Sequence, residues 1–367
     1  MAELLKNIYN KKFFEKFIKS VQEINSDFNG KSFLNYIYDE KWKNRALKQR
    51  MRHITHVFKN HLYESFEKNV EIILHLIPIL KKNGFKSVNL EFIFFPDFIE
   101  VYGIDYYDTS VRAFEIITQF ISCEFAVRPF IIKYQEFMLK QMLNWSTHKH
   151  PMVRRLATEG CRPRLPWAMA LPLLKKNPKP IIPILKNLKN DVSESVRRSV
   201  ANNLNDISKD NPKEVIELTK SWKGITRETD LLLKHACRTL LKQGNLETME
   251  LFGFGYTEDI KIENFHILTP IVKIGEALEF DFCLINKNNK RVKIRLEYGI
   301  YYQKINGYLS KKVYKISEKE YPKYSTTFIS KKRSFRVITT RKFHKGKHQV
   351  SIIINGTECE KKDFKLI

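Results

Sequence analysis

The stretch "HPMVRRLATEGC", residues 150–161, sets Met152, Val153, Leu156, Ala157 and Gly160 three and four places apart. That is the spacing of one apolar helical face, and it predicts a helix opening at Met152 with this stripe toward the core. Arg155 and Glu159, four apart, are then expected on the opposite side, with Arg162 about one turn further on. The dipeptide Val153-Arg154 has counterparts at Val111-Arg112 and Val196-Arg197, in steps of 42 and 43 residues, and a weaker echo at Leu233-Lys234 after 37. Periods near 40 with two helices each are the mark of HEAT-like arrays, where every helix pair buries its face on its neighbours. Proline-rich joints such as "NPKPIIPIL" (177–185) and "KDNPKEV" (209–215) suit such an array, because proline favours a first helical turn.

Helical spacing continues from residue 1 to about 250, as in "VEIILHLIPILKK" (70–82) and "PFIIKYQEFMLKQMLNW" (129–145). Near residue 256 the texture changes. "ALEFDFCLIN" (277–286) alternates, with Leu278, Phe280, Phe282 and Leu284 on one face and Glu279, Asp281 and Cys283 on the other. Turn signals follow at "NKNN", Asn306-Gly307, "HKGK" and Asn355-Gly356, and strand-like "VKIRLEYGIYY", "FRVITTRKF" and "QVSIIIN" fill the gaps. The expected architecture is an α-solenoid of HEAT-like repeats (an α/α superhelix) over 1–256, then a C-terminal all-β immunoglobulin-like sandwich over 257–367. The joint is placed in "GFGYTED" (253–259).

The chain of 367 residues carries 65 Lys+Arg against 40 Asp+Glu, a formal net charge of +25. Such a field attracts polyanions, and nucleic acid is the expected partner. No apolar run approaches the ~20 residues of a membrane span. The opening "MAELLKNIYNKKFFEKF" interrupts its apolar residues with charges, unlike a signal peptide. Five scattered cysteines without a CxxC pair argue for a reducing cytoplasm, without a disulfide frame or zinc site.

Residues 147–167 concentrate the candidate chemistry: Arg154, Arg155, Arg162 and Arg164 around Glu159, ending at Trp167. The next repeat supplies Arg197, Arg198 and Asn202, leading to Asp206. These arginines, with Lys175, Lys176 and Lys179, are candidates to grip phosphates, which positions a strand without reading it. Plainer readings stand beside these. Arg155 and Glu159 suit a solvated surface pair, Trp167 a core residue, and Asp206 a cap on the next helix. Glu124 suits a helix-end pair with Arg128. His148 and His150 lack partners at metal-ligand spacing, and Cys161 reads as a small buried residue. No metal or organic cofactor is expected.

"RRLATEGCRPRLPWA" (154–168) and "TQFISCEFAVRPFI" (118–131) closely resemble the AlkC branch of the AlkC/AlkD bacterial alkylpurine DNA glycosylases. "LKQRMRHIT" (47–55) and "FPDFIEVYG" (95–103) look like that branch too, so the resemblance spans most of 40–245. The sandwich matches the subgroup carrying an immunoglobulin-like domain after the array. The resemblance implies cleavage of the N-glycosidic bond of cationic alkylated bases, 3-methyladenine and 3-methylcytosine, in double-stranded DNA, without turning the base into a pocket. It places the active-site acids at Glu124, Glu159 and Asp206, the aromatic at Trp167, and backbone-gripping arginines at Arg155 and Arg162.

An N3-methylated base is already cationic and leaves as a neutral molecule, so it needs no general acid. The burden falls on the electron-poor sugar, whose oxocarbenium character carboxylates stabilise through space. The competing expectation is a non-catalytic HEAT-repeat protein that binds DNA or another protein. Basic runs "SKKRSFR" (330–336) and "RKFHKGKH" (341–348) are expected to touch the duplex or merely to solubilise. The expected form is a monomer in a bacterial cytoplasm, at the nucleoid when bound to DNA.

Overall fold

The computed structural model describes residues 4–62, 64–255, 258–337 and 342–367. The chain divides into two compact units, one of residues 1–215 with 222–236, the other of 216–221 with 237–367. The joint expected at 256/257 lies outside the described residues.

The first unit is helical. Its repeat begins with the helix Tyr107–Ile117, continues with Pro151–Glu159 and Glu194–Ile207, and ends with Arg227–Ala236. The helix Glu194–Ile207 packs on both Pro151–Glu159 and Arg227–Ala236. Val153, Leu156 and Ala157 are fully buried, as the spacing predicts, while Met152 is only half-buried. The helix starts one residue earlier than expected because Pro151 takes the first turn and the His150 ring accepts from the Met152 amide. Gly160 closes the stripe at a tight approach: a Cβ there would lie 2.7 Å from Val127 Cγ2 and 2.9 Å from Met142 Cε.

Two of the three repeated arginines share one structural task, while the first, Arg112, pairs with Glu71. Arg154 Nη1 donates to the carbonyls of His148 and Lys149, both at 2.9 Å. Arg197 Nη1 does the same with the carbonyls of Asp191 (2.6 Å) and Val192 (3.1 Å). Each arginine thus reaches back five and six residues to pin the turn before its own helix. Arg154 also pairs with Asp191, whose side chain is largely covered, joining consecutive repeats. Both were expected to hold phosphates. Arg154 instead has all three of its nitrogens committed to the array and Arg197 its Nη1, because the turns leave carbonyls that need partners.

In the second unit two helices, Arg238–Gln243 and Leu246–Leu251, precede eight strands. The strands are β1 (Ile260–Ile267), β2 (Ile271–Val272), β3 (Ala277–Asn286), β4 (Val292–Gln303), β5 (Leu309–Tyr321), β6 (Ser325–Ser334), β7 (Gly346–Ile354) and β8 (Thr357–Leu366). They form two sheets, β1-β3-β6 and β2-β8-β7-β4-β5. Leu278, Phe280, Phe282 and Leu284 of β3 face a core shared with Ile294, Leu296 and Ile300 of β4 and Val350 and Ile352 of β7. Gly244 and Gly356, both at positive φ, bring a helix end against the β7–β8 turn. A Cβ on Gly356 would lie 2.4 Å from the Gly244 Cα.

The strand expected in "FRVITTRKF" is displaced. β6 ends at Ser334, Phe335 turns into the core, and residues 338–341 lie outside the described residues. The long β5 carries a lysine-rich sequence because it is the outer strand of its sheet, where charge deters pairing with another chain. In the basic run "SKKRSFR", Lys332 pairs with Glu279 across the sheet and Arg333 lies over the Tyr314 ring at 4.0 Å. Among the described residues, no helix is long and apolar enough to cross a membrane.

Candidate active site

Two arginines organise the acids of the helical unit. Arg155 Nη1 donates to Glu124 Oε2 at 2.7 Å and to Ser122 Oγ at 3.0 Å, while Ser122 Oγ donates to the same Glu124 oxygen at 2.7 Å. The Arg155–Glu159 pair, four apart on the helix, is longer at 3.9 Å. Arg162 Nη1 donates to Glu159 Oε1 at 2.6 Å, and its Nε donates to Asp206 Oδ2 at 2.9 Å. Glu159 Oε2 accepts from Ser199, and Asp206 Oδ1 from Lys209 at 3.0 Å. Three sequence-distant acids are therefore linked in one network, Glu124–Arg155–Glu159–Arg162–Asp206.

The expected solvent face of this helix is not solvated. Glu159 is 5% exposed, Arg162 7% and Asp206 1%. Burial disfavours the Arg162 cation, but Glu159 first and Asp206 next outweigh it and hold the guanidinium above the usual arginine range. Arg162 is consequently a brace between carboxylates, not an exposed clamp. Asp206 caps nothing: it sits within the helix Glu194–Ile207. The alternative Glu124–Arg128 pairing is not formed. Arg128 is buried, its pKa pushed down to about 10 by desolvation, and it donates to the carbonyls of Met169 (2.7 Å), Gly160 (2.9 Å) and Arg162 (2.8 Å). It thereby ties down the proline-bounded turn that carries Trp167.

Trp167 is 65% exposed, against the core reading, and its φ of 66° is left-handed. A non-glycine residue held there is strained and needs support from its surroundings. Lys48 supplies some: its Nζ donates to the Trp167 carbonyl at 2.7 Å and lies 4.9 Å over the Phe125 ring. Trp167, Glu124, Glu159 and Arg162 line one cleft of about 360 Å³, whose other wall is built from Lys48, Arg52, Asp97 and Glu100. Asp206 stands behind Arg162 and does not line it.

Lys48, Arg52, Asp97 and Glu100 escaped residue-by-residue reading. The signal was present: Asp97 and Glu100 are two acids in the otherwise apolar run "FIFFPDFIEVY" (92–102). Arg52 Nε donates to both Asp97 oxygens (3.0 and 2.9 Å), its Nη2 to Glu100 Oε1 (2.8 Å), and Thr55 Oγ1 donates to Asp97 Oδ2 (2.7 Å).

The remaining candidates lie outside the cleft. Arg164 is half-exposed and bonded through two nitrogens to Asp210, at 2.7 and 2.6 Å. Lys175 is half-buried, and Lys176, Lys179 and Arg198 are exposed. His148 and His150 accept from nearby backbone amides. Among the described residues no group of three or more His, Cys, Asp or Glu is arranged to hold a metal. Burial pushes the Cys161 thiol up to about 12, which makes it inert.

Residues 261–367 match the family model described as the C-terminal Ig-like domain of the uncharacterised protein YhaZ. Across 366 residues the chain is 41% identical to the uncharacterized protein YhaZ of Bacillus subtilis (strain 168), covering all of both chains. Its fold is similar to the Pseudomonas fluorescens alkylpurine DNA glycosylase AlkC bound to DNA containing an abasic site analog. The TM-score is 0.93, with 30% identity and complete coverage of both chains. The chain belongs to the AlkC family. In this AlkC-family member the stretches that suggested the relationship, 47–55, 95–103, 118–131 and 154–168, supply nearly every residue lining the cleft.

Proposed function

We propose that this protein is a DNA glycosylase that hydrolyses the N-glycosidic bond of cationic alkylated bases in double-stranded DNA, leaving an abasic site. One observation carries the reading: in a chain of net charge +25, the cleft is lined by four carboxylates (Asp97, Glu100, Glu124, Glu159) against three cations (Lys48, Arg52, Arg162). A basic exterior attracts the polyanion, while a cleft richer in acid than base receives positive charge. A phosphate-binding scaffold gains nothing from such a cleft.

The substrates are 3-methyladenine and 3-methylcytosine. Either leaves as a neutral base, and the sugar left behind has oxocarbenium character. Glu124 has an oxygen, Oε1, with no protein partner among the described residues, and it orients the attacking water or faces the sugar directly. Glu159 adds fixed negative charge beside it. Asp206 acts through Arg162, as a positioning residue. Once bound DNA covers it, the exposed Trp167 face favours adjacent cationic character by up to about 2 kcal/mol. The lesion's own lability supplies most of the selectivity, so the base is cleaved without being flipped. Arg198, Lys175 and Lys176 contact phosphates, whereas Arg164 is held by Asp210, and the enzyme acts as a cytoplasmic monomer without a metal or organic cofactor.

The test is incubation with methylated duplex DNA followed by chromatography of released bases. Free 3-methyladenine or 3-methylcytosine supports the glycosylase; tight binding with no release defeats it.

A further inference from the structure

Glu100 is a cleft residue that the chemistry above leaves without a task. Two carboxylate oxygens on the cleft lining have no protein partner among the described residues, Glu124 Oε1 and Glu100 Oε2. Both oxygens of Glu159 are engaged, by Arg162 and Ser199, and both of Asp97, by Arg52 and Thr55. If Glu124 serves the sugar, Glu100 is the open acceptor left for something else in the cleft.

The surroundings of Glu100 indicate a cation. Its only bonded neighbour among the described residues is Arg52, whose guanidinium is shared with Asp97. Burial and, next, the Asp97 charge hold the Glu100 carboxyl above its ordinary range, against the weaker opposing pull of Arg52 and Lys48. A carboxylate kept in such a place lacks part of its positive complement. A ligand bearing positive charge beside an N–H group restores it, through a charge-assisted hydrogen bond about twice as strong as a neutral one.

We propose that Glu100 is a specificity-determining residue that contacts the alkylated base itself, accepting a hydrogen bond from the exocyclic amino group of the methylated adenine or cytosine cation. This inference rests on the glycosylase reading. Asp97, Arg52 and Thr55 form the brace that aims it, linking the helices Leu47–Asn60 and Phe94–Tyr102. An undamaged adenine offers the same amine without the charge, so Glu100 adds discrimination by charge to the lesion's intrinsic lability.

The test is Glu100→Gln in the full-length protein, which keeps the size and an acceptor while removing the charge. Release of 3-methyladenine and 3-methylcytosine from duplex DNA is expected to fall about 10- to 100-fold in kcat/KM, the range for a hydrogen bond to a charged group. Affinity for abasic-site duplex is expected to stay within about twofold, since that DNA has no base to contact. The wild-type rate falls as pH drops through the raised Glu100 pKa, and the variant lacks that acid limb. Unchanged release, or parallel loss of abasic-site binding, overturns the proposal. If Glu100→Gln does not fold, Glu100→Asp, which withdraws the charge by one methylene, is read by the same two measurements. Wild-type protein that releases neither base defeats the glycosylase reading itself, and this inference with it.

Discussion

Arg162 Nε donates to Asp206 Oδ2 at 2.9 Å across 44 residues of sequence, about one repeat length. The contact converts the stacking of two repeats into a fixed electrostatic arrangement. Because Arg162 also holds Glu159, the position of one acid depends on the other.

Removing that brace takes the buried cation from two buried carboxylates, leaving Glu159 only the longer Arg155 pair and Asp206 only the half-exposed Lys209. Arg162→Met is expected to destabilise the protein by about 3–5 kcal/mol. Chemical unfolding checks this, and a loss below about 1 kcal/mol shows that the pair is better solvated than its burial indicates.

Coupling through the arginines also predicts non-additive kinetics. Glu124→Gln and Asp206→Asn are each expected to slow single-turnover base release about 10²–10³-fold. The double variant should lose much less than the product of the two. Full multiplicativity would mean the acids act independently; an Asp206→Asn rate equal to wild type would remove Asp206 from the mechanism.

Trp167 combines exposure with a left-handed backbone, so Trp167→Gly relieves strain while deleting the indole. Stability should rise by about 1 kcal/mol as base release declines. Lower stability in the glycine variant would place the ring's packing above the backbone strain.

The arginines should separate into two groups. Arg154→Ala strips Asp191 of its partner and is expected to cost about 3–5 kcal/mol of stability. Arg198→Ala and Lys176→Ala should leave stability alone and reduce the slope of log affinity for duplex against log salt by about one each. A reduced slope in folded Arg154→Ala would return it to the DNA-binding set.

The raised Glu100 pKa has a stability consequence with a definite sign. The folded protein holds that proton more tightly than the unfolded chain, so the associated stability is present below the ordinary glutamate pKa and lost as pH rises through the folded value. Near neutral pH, Glu100→Gln should therefore melt at or above the wild-type temperature, while below pH 4 the difference should vanish. A lower Tm at pH 7 contradicts this sign.

Local pattern made much of the molecule readable. The Val-Arg repeat, the alternation in 277–286 and the turn dipeptides are short-range consequences of helix and strand geometry. Glu124, Glu159 and Trp167 were legible chiefly through a resemblance over long stretches, since each has a plausible bland role alone. Lys48, Arg52, Asp97 and Glu100 were passed over because an acid in an apolar run acquires meaning only from what packs opposite it.

Sequence by itself determined the two architectures, the repeat length and the basic field, because periodicity and charge are properties of the chain at any separation. Only the tertiary structure decided which cations are cement and which are free. Arg154 meets Asp191 37 residues away and Arg164 meets Asp210 46 away. Those partners depend on how one repeat settles against the next, and burial then fixes whether a charge meets water, DNA or another side chain.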